Sequence, residues 1–423
     1  MNVRVLGDSL EAWALAGALA LTGCDVSMSQ SELLGGGADT AEPDLLQLLE
    51  KQQAAGRLRL GRQQGAADLL LVTRRLPSLE ALQRAVQDFA DSGKASGQPR
   101  LIALTQSVAI GTTDALQSWL DEQGAANVRV LYWPAFVQAG RALESITRPE
   151  RILLGTCDAA VERVMRRLLS PFNRSRDTLL VMPPKEAELS KLAINGMLAT
   201  RVSYMNELAR LAEDKGIDIE QVRQGMGTDS RIGFQYLYPG CGFGGEAFLE
   251  TLSQLNRELG HQREPGLLSS VFKINEQQKD LLFQKFWRYF GAQVAGRTVA
   301  LWGCAFKPNT SAVEGSPALT LIEALLSHDV NVQVYDPMAM PVLRRRLGPL
   351  PGLSYLDSAE AAAQGTDALM LVTEWKEFWN LDMAAVLAGM KAPLLLDGRN
   401  VFEPERMHEL GWVYSGVGRG VSV

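Results

Sequence analysis

One stretch of the chain concentrates residues that could bind a charged ligand. It holds four glycines within six positions, namely Gly240, Gly242, Gly244 and Gly245. Glycine lets the backbone approach a ligand closely, and a glycine-rich turn that leads into a helix can present free N–H groups to an anion or a developing oxyanion. The sequence therefore predicts a binding loop whose reactive side chain follows the last glycine. The chain has Glu246 and Ala247 there, and alanine has no reactive group.

A second candidate site is the loop at residues 7–12, between a short apolar segment and an Ala/Leu-rich segment. Compared with the dinucleotide-binding fingerprint G-x-G-x-x-G, the loop keeps Gly7 but has Ser9 at the second glycine and Ala12 at the third. The third change is mild. The second matters more, because that glycine lets the pyrophosphate lie on the backbone.

The charges around this loop are also unfavourable for a dinucleotide. Gln30 stands where an acidic residue would bind the ribose hydroxyls. Asp8 and Glu11 would place negative charge where phosphates would lie. The pattern therefore favours a Rossmann-shaped domain kept for its packing over one that binds NAD.

Alternating apolar and helical segments indicate which elements position these loops. Short apolar runs predict strands of a parallel sheet at residues 3–6, 24–28, 68–72, 101–104, 130–133 and 151–154. The segments between them predict helices at residues 10–21, 43–55, 79–89 and 113–122, and a polar loop at residues 31–40. This alternation predicts one doubly wound domain over residues 1–185.

A long helical pattern without proline follows at residues 186–215 and ends before Gly216, a suitable residue after a helix. A helix of about 30 residues spans roughly 45 Å, so we expect it to link two domains and to offer a face for a homodimer. Residues 277–289 predict a further helix, within a central region that covers residues 186–293.

A second alternation occupies residues 294–423. It predicts strands at residues 297–302, 330–335, 369–372 and 394–396, with a helix at residues 316–327. The predicted fold class is therefore α/β, with two Rossmann-like doubly wound domains joined by a long central helix.

The composition argues against several classes of protein. The 423 residues carry a formal net charge of −6, unlike dedicated nucleic-acid-binding or membrane-surface proteins, which are normally basic. The four cysteines show no paired spacing and the three histidines no ligand spacing, so we expect neither a disulfide framework nor a metal site. The chain has no signal-peptide pattern and no run of about 20 apolar residues. These features predict a cytoplasmic protein.

Several stretches match one known pattern in the right order along the chain. The first part has Glu-Pro at 42–43 and Ala-Ala-Gly-Arg-Leu at 54–58. The central part has Lys-Leu-Ala-Ile-Asn at 191–195, Asn-Glu at 206–207, Asp-Ser-Arg-Ile-Gly at 229–233 and the glycine run at 240–245. The last part has Ala-Phe-Lys-Pro-Asn-Thr at 305–310, Tyr-Asp-Pro at 335–337, Thr-Glu-Trp at 373–375 and Asp-Gly-Arg-Asn at 397–400. This ordered set resembles the UDP-glucose/GDP-mannose dehydrogenase family.

The resemblance implies an NAD-binding first domain, a central dimer helix and a UDP-sugar-binding last domain. It also implies a reaction, because members of that family oxidise the C6 alcohol of the sugar to a carboxylate with two NAD. A cysteine thiolate traps the intermediate aldehyde, and a lysine and an asparagine on the central helix bind an oxyanion or a water. Lys191 and Asn195 match these two residues, and their spacing places both on one helical face.

Further site residues follow from the resemblance. Contacts to a nucleotide sugar such as UDP-glucose fall on Arg231, Tyr236, Gly244, Gly245, Lys307 and Arg399. Contacts to NAD fall on Gly7, Ser9, Ala12, Gln30 and Ser107. The implied setting is the supply of uronic acids for a bacterial surface polysaccharide.

The chain departs from the family pattern where the chemistry takes place. In the glycine-rich loop, Ala247 replaces the nucleophilic cysteine, Glu250 replaces a lysine and Thr251 replaces the aspartate that assists the general base. In the first domain, Ala135 and Ala139 replace two glutamates. In the last domain, Glu314 stands where the family has an arginine that faces the substrate.

Cys241 is the thiol nearest to the lost nucleophile, six residues before Ala247. Six extended residues span about 20 Å, whereas attack requires atoms within about 3–3.5 Å. We therefore interpret Cys241 as a small thiol packed in a turn.

Three hypotheses follow from these departures. The favoured one is a catalytically impaired or dead homologue that acts through nucleotide-sugar binding or subunit pairing. The alternative is an active NAD-dependent enzyme, perhaps limited to one oxidation to the aldehyde, with Lys191 as the base. The third is a purely structural protein, because Glu246, Glu250 and Glu314 would repel a diphosphate.

Overall fold

The computed structural model describes residues 1–28, 42–61, 67–94, 99–173, 177–260 and 266–420. Residue contacts divide the chain into two compact units, Met1–Ile194 and Asn195–Val423. Each unit contains one sheet in its described residues, and we number strands and helices in chain order. No helix in these described ranges is long and apolar enough to cross a membrane.

The first unit is built on an eight-stranded sheet within its described residues, in the order β3-β2-β1-β4-β5-β6-β7-β8. The strands are β1 (Asn2–Leu6), β2 (Asp25–Met28), β3 (Leu58–Leu60), β4 (Leu69–Val72), β5 (Arg100–Leu104), β6 (Val128–Tyr132), β7 (Ile152–Gly155) and β8 (Leu179–Met182). Neighbouring strands are parallel except β6 and β7, which are antiparallel. The helices are α1 (Leu10–Leu21), α2 (Pro43–Ala54), α3 (Leu79–Lys94), α4 (Thr112–Glu122), α5 (Ala142–Thr147), α6 (Ala159–Leu169) and α7 (Pro184–Lys215), which continues into the second unit.

The second unit has a six-stranded parallel sheet in its described residues, in the order β11-β10-β9-β12-β13-β14. The strands are β9 (Thr298–Trp302), β10 (Asn331–Tyr335), β11 (Leu353–Tyr355), β12 (Ala368–Leu371), β13 (Leu394–Asp397) and β14 (Val413–Ser415). The helices after α7 are α8 (Ile219–Gly227), α9 (Glu246–Leu259), α10 (Leu267–Lys279), α11 (Leu281–Tyr289), α12 (Pro317–Leu326), α13 (Met340–Leu347), α14 (Ala359–Ala363), α15 (Lys376–Trp379), α16 (Met383–Gly389) and α17 (Pro404–Glu409).

Each of the two sheets has a position at which the strand order reverses. In the first unit the chain leaves β1 toward β2 on one side, and β4 lies on the other side. In the second unit β9 has β10 on one side and β12 on the other. Open α/β sheets bind ligands in the crevice at such a reversal, outside the carboxyl ends of the strands. The loops after β1 and β9 therefore lie where a site is expected.

The predicted fold class is confirmed, since both sheets are doubly wound and α7 is a single long helix. The central strands β4, β5 and β12 are buried along their whole length, which explains their continuous apolar runs. The four sheet-edge strands, β3, β8, β11 and β14, were not predicted from the sequence. They have three or four residues each and are less uniformly buried. β3, β11 and β14 also contain a polar residue and so lack such a run, whereas β8 is a short apolar run that was missed.

One predicted helical segment is interrupted and two predictions stay open. The helix predicted at residues 277–289 is two helices, α10 and α11, which meet at Asp280. Asp280 keeps right-handed helical dihedrals (φ −87°, ψ −7°), so the side-chain pattern does not reveal the break. The loop predicted at residues 31–40 lies outside the described residues, and the division into 1–185, 186–293 and 294–423 stays a prediction.

A buried ion pair joins distant parts of the second unit. The Lys285 ammonium on α11 is fully buried and lies 2.7 Å from the Glu213 carboxylate on α7. It also donates to the Ser415 hydroxyl (3.0 Å) and to the Gly416 carbonyl (2.9 Å). Burial lowers the pKa of Lys285, and the Glu213 charge opposes that shift. The Lys285 ammonium therefore has three hydrogen-bond acceptors, as a buried charge requires.

Replacing Lys285 tests this pair. We expect Lys285→Ala to lower the free energy of unfolding by about 3–5 kcal/mol, because it leaves the Glu213 charge without its partner. Urea unfolding followed by tryptophan fluorescence measures the change. The matched control is Arg344→Ala, which removes an exposed pair with Asp357 and should cost about 0–1 kcal/mol. Equal effects of the two variants would contradict the assignment.

Candidate functional site

The loop after β1 in the first unit is closely packed against the loop after β4. Gly7 has φ +146°, and a Cβ at this position would lie 2.3 Å from the Thr73 hydroxyl oxygen. Only glycine fits there. The Thr73 hydroxyl donates to the Leu6 carbonyl (3.1 Å), which fixes the end of β1 beside the end of β4.

Ser9 begins α1 as its N-cap. Its hydroxyl oxygen accepts a hydrogen bond from the Ala12 N–H (3.3 Å), which is one of the N–H groups that a helix N-terminus can offer to an anion. The serine therefore occupies a position that a phosphate oxygen would need. Gln30, the predicted ribose contact, lies outside the described residues, and contacts of Gly7, Ser9, Ala12 and Ser107 with a cofactor stay predictions.

Glu11 does not point toward solvent at the start of α1. Its side chain is half-buried, and the Thr105 hydroxyl at the end of β5 donates to its carboxylate. Burial raises the pKa of Glu11 to about 7, and the hydrogen bond from Thr105 and the charge of Lys191 oppose this rise. The carboxylate is turned toward the end of β5, and the expectation that Glu11 adds negative charge beside phosphates stays a prediction.

Lys191 on α7 is half-buried beside the loop after β6. Its ammonium donates to the Ala135 carbonyl (2.8 Å) and lies 4.2 Å from the centre of the Phe136 ring. Burial lowers the pKa of Lys191 to about 8, and the Glu11 carboxylate opposes this shift. The first unit thus holds a lysine and a carboxylate that both titrate near neutrality. Asn195 belongs to the second unit, and its action together with Lys191 stays a prediction.

The glycine-rich loop of the second unit is held by its own N–H groups. Four of them donate to acceptors in the same unit. The N–H groups of Gly240 and Phe243 donate to the side-chain oxygens of Asn206 (2.8 Å) and Asn275 (2.8 Å). Those of Cys241 and Gly245 donate to the carbonyls of Gly398 (2.9 Å) and Glu314 (2.9 Å). Protein acceptors from remote segments thus bind these four N–H groups, and binding of an anion by the rest of the loop and the start of α9 stays a prediction.

Neighbouring atoms leave no space for a side chain at two glycines of the loop. A Cβ at Gly244 would lie 2.3 Å from the Gly315 carbonyl oxygen, and a Cβ at Gly245, which has φ +94°, would lie 2.9 Å from the Phe306 ring. The loop therefore packs backbone against backbone on the segment after β9. Substrate contacts of Gly244 and Gly245 stay predictions.

Asn275 was not singled out in the sequence, although it holds this loop. Its amide oxygen accepts from the Phe243 N–H and its amide nitrogen donates to the Phe243 carbonyl (3.1 Å). The primary amide supplies both the donor and the acceptor that these two bonds require. An isolated asparagine within the pattern of α10 gives no signal of this role, because its partner lies 32 residues away.

Ala247 is exposed in the first turn of α9, directly after the loop. Thr251 is buried, and its hydroxyl donates to the Ala247 carbonyl (2.7 Å) within the helix. The turn therefore contains no thiol, and the threonine hydroxyl is engaged with the backbone.

Cys241 is packed, as predicted from the sequence. It is 1% exposed, and its sulfur lies 3.9 Å from the Val372 carbonyl. A Cβ at Gly398 would lie 2.7 Å from that sulfur. Burial raises the pKa of the Cys241 thiol, although the Arg399 charge opposes the rise. The thiolate needed for covalent catalysis is therefore disfavoured.

The predicted sugar-nucleotide residues occupy different environments in the second unit. Arg399 donates to the Val372 carbonyl (2.7 Å) and to the Gly242 carbonyl (3.0 Å), so it braces the glycine-rich loop. The Arg231 side chain is 86% exposed and pairs with Asp229. Tyr236 is half-buried with φ +59°, and the Lys307 ammonium lies 5.7 Å from the centre of the Phe306 ring. Their contacts with a ligand stay predictions.

Three domain patterns match the chain. They are the NAD binding domain, the central domain and the UDP binding domain described for UDP-glucose/GDP-mannose dehydrogenases, over residues 12–173, 185–277 and 300–404.

The chain belongs to the UDP-glucose/GDP-mannose dehydrogenase family. A UDP-glucose 6-dehydrogenase of Pseudomonas aeruginosa is 43% identical over 290 residues, which cover 68% of this chain and 64% of that protein. One from Rhizobium meliloti is 32% identical over 395 residues, 89% of each chain. The solved structure of a UDP-glucose dehydrogenase from Pyrobaculum islandicum has a TM-score of 0.85 at 29% identity and covers 99% of this chain and 97% of that one.

Membership of this family supports NAD as the cofactor. The backbone of the first unit is suited to a dinucleotide, because Gly7 and the N-terminus of α1 lie at the strand-order reversal. These groups, with Ser107, would hold a dinucleotide, which would accept a hydride when bound. The matched NAD-binding pattern begins at Ala12, so the loop that departs from the fingerprint precedes it.

The burial of the cysteines gives a direct test. Cys157 is exposed, whereas the other three, Cys24, Cys241 and Cys304, are buried. We expect DTNB to react rapidly with one thiol of the native protein and at least about tenfold more slowly with the rest. Cys157→Ser should remove the fast phase and Cys241→Ser should leave it unchanged. A fast phase that disappears in Cys241→Ser would show that this thiol is accessible.

Proposed function

We propose that this chain is a nucleotide-sugar-binding member of the family that does not carry out the thiol-dependent oxidation to the acid. The observation that carries the proposal is the absence of an available thiol in the described glycine-rich loop and α9. Ala247 stands at the start of the helix, and the nearby Cys241 is buried with a raised pKa.

The chemistry explains why this absence matters. Oxidation of an alcohol to an acid passes through an aldehyde, and a thiolate holds that aldehyde as a covalent adduct from which a second hydride can leave. Alanine forms no adduct. Ala135 and Ala139 also lack the carboxylates of the family pattern, and the Thr251 hydroxyl bonds its own helix. Removing one member of a catalytic unit can cost about as much activity as removing all of them.

Binding of a nucleotide sugar such as UDP-glucose is supported by the second unit. The UDP binding domain pattern covers residues 300–404, which include the strand-order reversal at β9 and β12. Gly303 lies directly against Thr373 there, since a Cβ would lie 2.4 Å from the threonine Cβ. Retention of Arg231, Lys307 and Arg399 provides cations for a diphosphate. The cytoplasmic supply of sugar nucleotides for a bacterial surface polysaccharide is the setting that the family context favours.

A second candidate function is a single oxidation of the sugar alcohol to the aldehyde. The observation that favours it is Lys191, whose lowered pKa makes a neutral amine accessible near neutral pH. A hydride transfer needs such a base and a bound nicotinamide but no thiol.

Titration with UDP-glucose tests the proposal. We expect UDP-glucose at 100 times its dissociation constant to stabilise the protein by about 2.7 kcal/mol, measured as a rise in melting temperature. With NAD present, mass spectrometry of the nucleotide pool should detect no UDP-glucuronate. Formation of the acid would contradict the proposal, whereas formation of the aldehyde alone would establish the second candidate. No stabilisation by UDP-glucose or UDP would favour a purely structural protein.

Arg231→Ala provides a matched variant for the same titration. Its side chain is exposed and pairs only locally with Asp229, so folding should be unaffected while UDP-glucose affinity falls about tenfold. Arg406→Ala, another exposed arginine of the second unit, is the control and should bind like the wild type.

We also propose that the chain forms a homodimer through α7. Three large apolar side chains, Met197, Tyr204 and Leu211, are 61%, 51% and 53% exposed. They are seven residues apart, which places them along one side of the helix, as in a coiled-coil seam. An exposed stripe of this kind favours burial against a second copy.

Introducing charge into this stripe tests the dimer. We expect the double variant Met197→Glu/Leu211→Glu to be a monomer by light scattering after gel filtration, because burying two carboxylates at one interface is unfavourable. Val164→Glu on α6 replaces another exposed apolar residue (42% exposed) and should leave the mass unchanged. A wild-type protein that is already monomeric at micromolar concentration would refute the proposal.

A further inference from the structure

A buried carboxylate joins three loops at the carboxyl ends of the strands of the second unit. Asp336 follows β10 directly and is 1% exposed. Its Oδ2 atom accepts hydrogen bonds from the Cys304 N–H (2.7 Å) and the Ala305 N–H (2.9 Å), at the start of the loop after β9. The same oxygen accepts from the Trp375 indole N–H (3.0 Å), in the loop after β12. One atom therefore links the three strands around the strand-order reversal.

The second oxygen of this carboxylate holds its own loop. Asp336 Oδ1 accepts from the Met338 N–H (2.8 Å) and the Ala339 N–H (2.7 Å), just before α13. The carboxylate thus accepts five hydrogen bonds, although it offers only about four lone-pair sites. Hydrogen bonds to an ionised oxygen are roughly twice as strong as neutral ones. These bonds therefore fix the three loops relative to one another.

The position of Asp336 in the sheet would also suit a direct contact with a nucleotide. In dinucleotide-binding folds an acidic residue at the end of the second strand binds the ribose hydroxyls, and β10 is the second strand of this sheet along the chain. The Asp336 oxygens, however, are buried and already engaged by the protein. An effect of this residue on a ligand therefore has to pass through the loops that it holds.

The loop after β9 carries residues of the predicted nucleotide site. Phe306 follows Ala305, and a Cβ at Gly245 in the glycine-rich loop would lie 2.9 Å from its ring. Lys307 comes next, and it is a predicted contact to the sugar nucleotide. The Thr373 hydroxyl, in the loop after β12, donates to the Ala305 carbonyl (2.6 Å). Both the N–H and the carbonyl of Ala305 are therefore bound, which fixes the backbone that leads to Lys307.

We propose that Asp336 is a positioning residue for the nucleotide site of the second unit. It aligns the backbone at Cys304 and Ala305 so that the Lys307 ammonium is presented to the diphosphate of a nucleotide sugar such as UDP-glucose. Asp336 itself touches no ligand atom. This inference rests on the proposed binding of a nucleotide sugar and adds the residue that prepares the site for it.

Asp336→Asn tests this role, because the amide keeps the shape but turns one acceptor into a donor. The new NH2 group would face N–H groups of the protein and push at least one loop away. We expect the dissociation constant of UDP, measured by isothermal titration calorimetry well below the melting temperature, to rise about tenfold. The matched control is Asp357→Asn, an exposed acid of the same unit, which should bind UDP like the wild type. An unchanged affinity in Asp336→Asn would overturn the proposal.

A double-variant comparison separates positioning from a general loss of stability. If Asp336 acts through the loop that carries Lys307, Lys307→Ala removes most of the affinity that Asp336→Asn can still affect. We therefore expect Asp336→Asn to weaken UDP binding about tenfold in the wild type but less than about threefold in the Lys307→Ala background. A merely structural role would give the same factor in both backgrounds, and that result would contradict the assignment.

Amide hydrogen exchange at Cys304 and Ala305 tests the same contact without a ligand. The Val332 N–H, within β10, donates to the Gly352 carbonyl (2.7 Å) and serves as the reference. Asp336→Asn should speed exchange of the two loop amides at least about tenfold more than that of Val332. Equal acceleration at all three amides would indicate a general loss of stability and refute the positioning role.

The exchange measurement also keeps this inference apart from the proposed function. A wild type that does not bind UDP would refute the proposed function and with it the positioning of a nucleotide. Fast exchange confined to the loop amides of Asp336→Asn would still establish that the carboxylate holds the loop after β9.

Trp375→Phe covers the case in which Asp336→Asn does not fold. Phenylalanine keeps an aromatic ring at this buried position but lacks the indole N–H. Losing that one bond should raise the dissociation constant of UDP about threefold and speed exchange of the Cys304 and Ala305 amides. No change in either quantity would overturn the proposal.

Discussion

The structure of the second unit depends on close backbone contact between the glycine-rich loop and the segment after β9. Gly244 faces the Gly315 carbonyl oxygen with no room for a methyl group, and the Gly245 N–H bonds the Glu314 carbonyl. These contacts require glycine whether or not the loop binds a substrate. The glycine pattern of this family is therefore evidence for the fold, and a chain can keep it after losing the catalytic residue.

The nucleophile position is under no such constraint. Ala247 is exposed in the first turn of α9, and its side chain contributes nothing to the core. A cysteine there can be lost at little cost in stability. Cys241, by contrast, is tightly packed, because Gly398 and the Val372 carbonyl enclose its sulfur. The one thiol in the loop is thus enclosed by the fold and unsuited to covalent chemistry.

The first unit keeps polar contacts around Lys191 although the family's two nearby carboxylates are absent. Lys191 retains a polar environment although two carboxylates of the family pattern are alanines, since its ammonium donates to the Ala135 carbonyl and lies over the Phe136 ring. At the same time Ser9 caps α1 with its own hydroxyl. This cap lies on the loop at residues 7–12 that departs from the dinucleotide fingerprint.

The sequence by itself determined the α/β class, the long helix α7, the buried central strands and the family. These depend on local apolar periodicity and on motifs whose order survives divergence. It also determined that alanine occupies position 247. The tertiary structure decided which loop N–H groups are engaged, that Glu11 turns inward, and where the short edge strands pair. The physical reason is separation along the chain, since Lys191 and its acceptor Ala135 are 56 residues apart and Cys241 and Val372 are 131 apart. No local pattern specifies such partners, because only the packed sheets bring them within bonding distance.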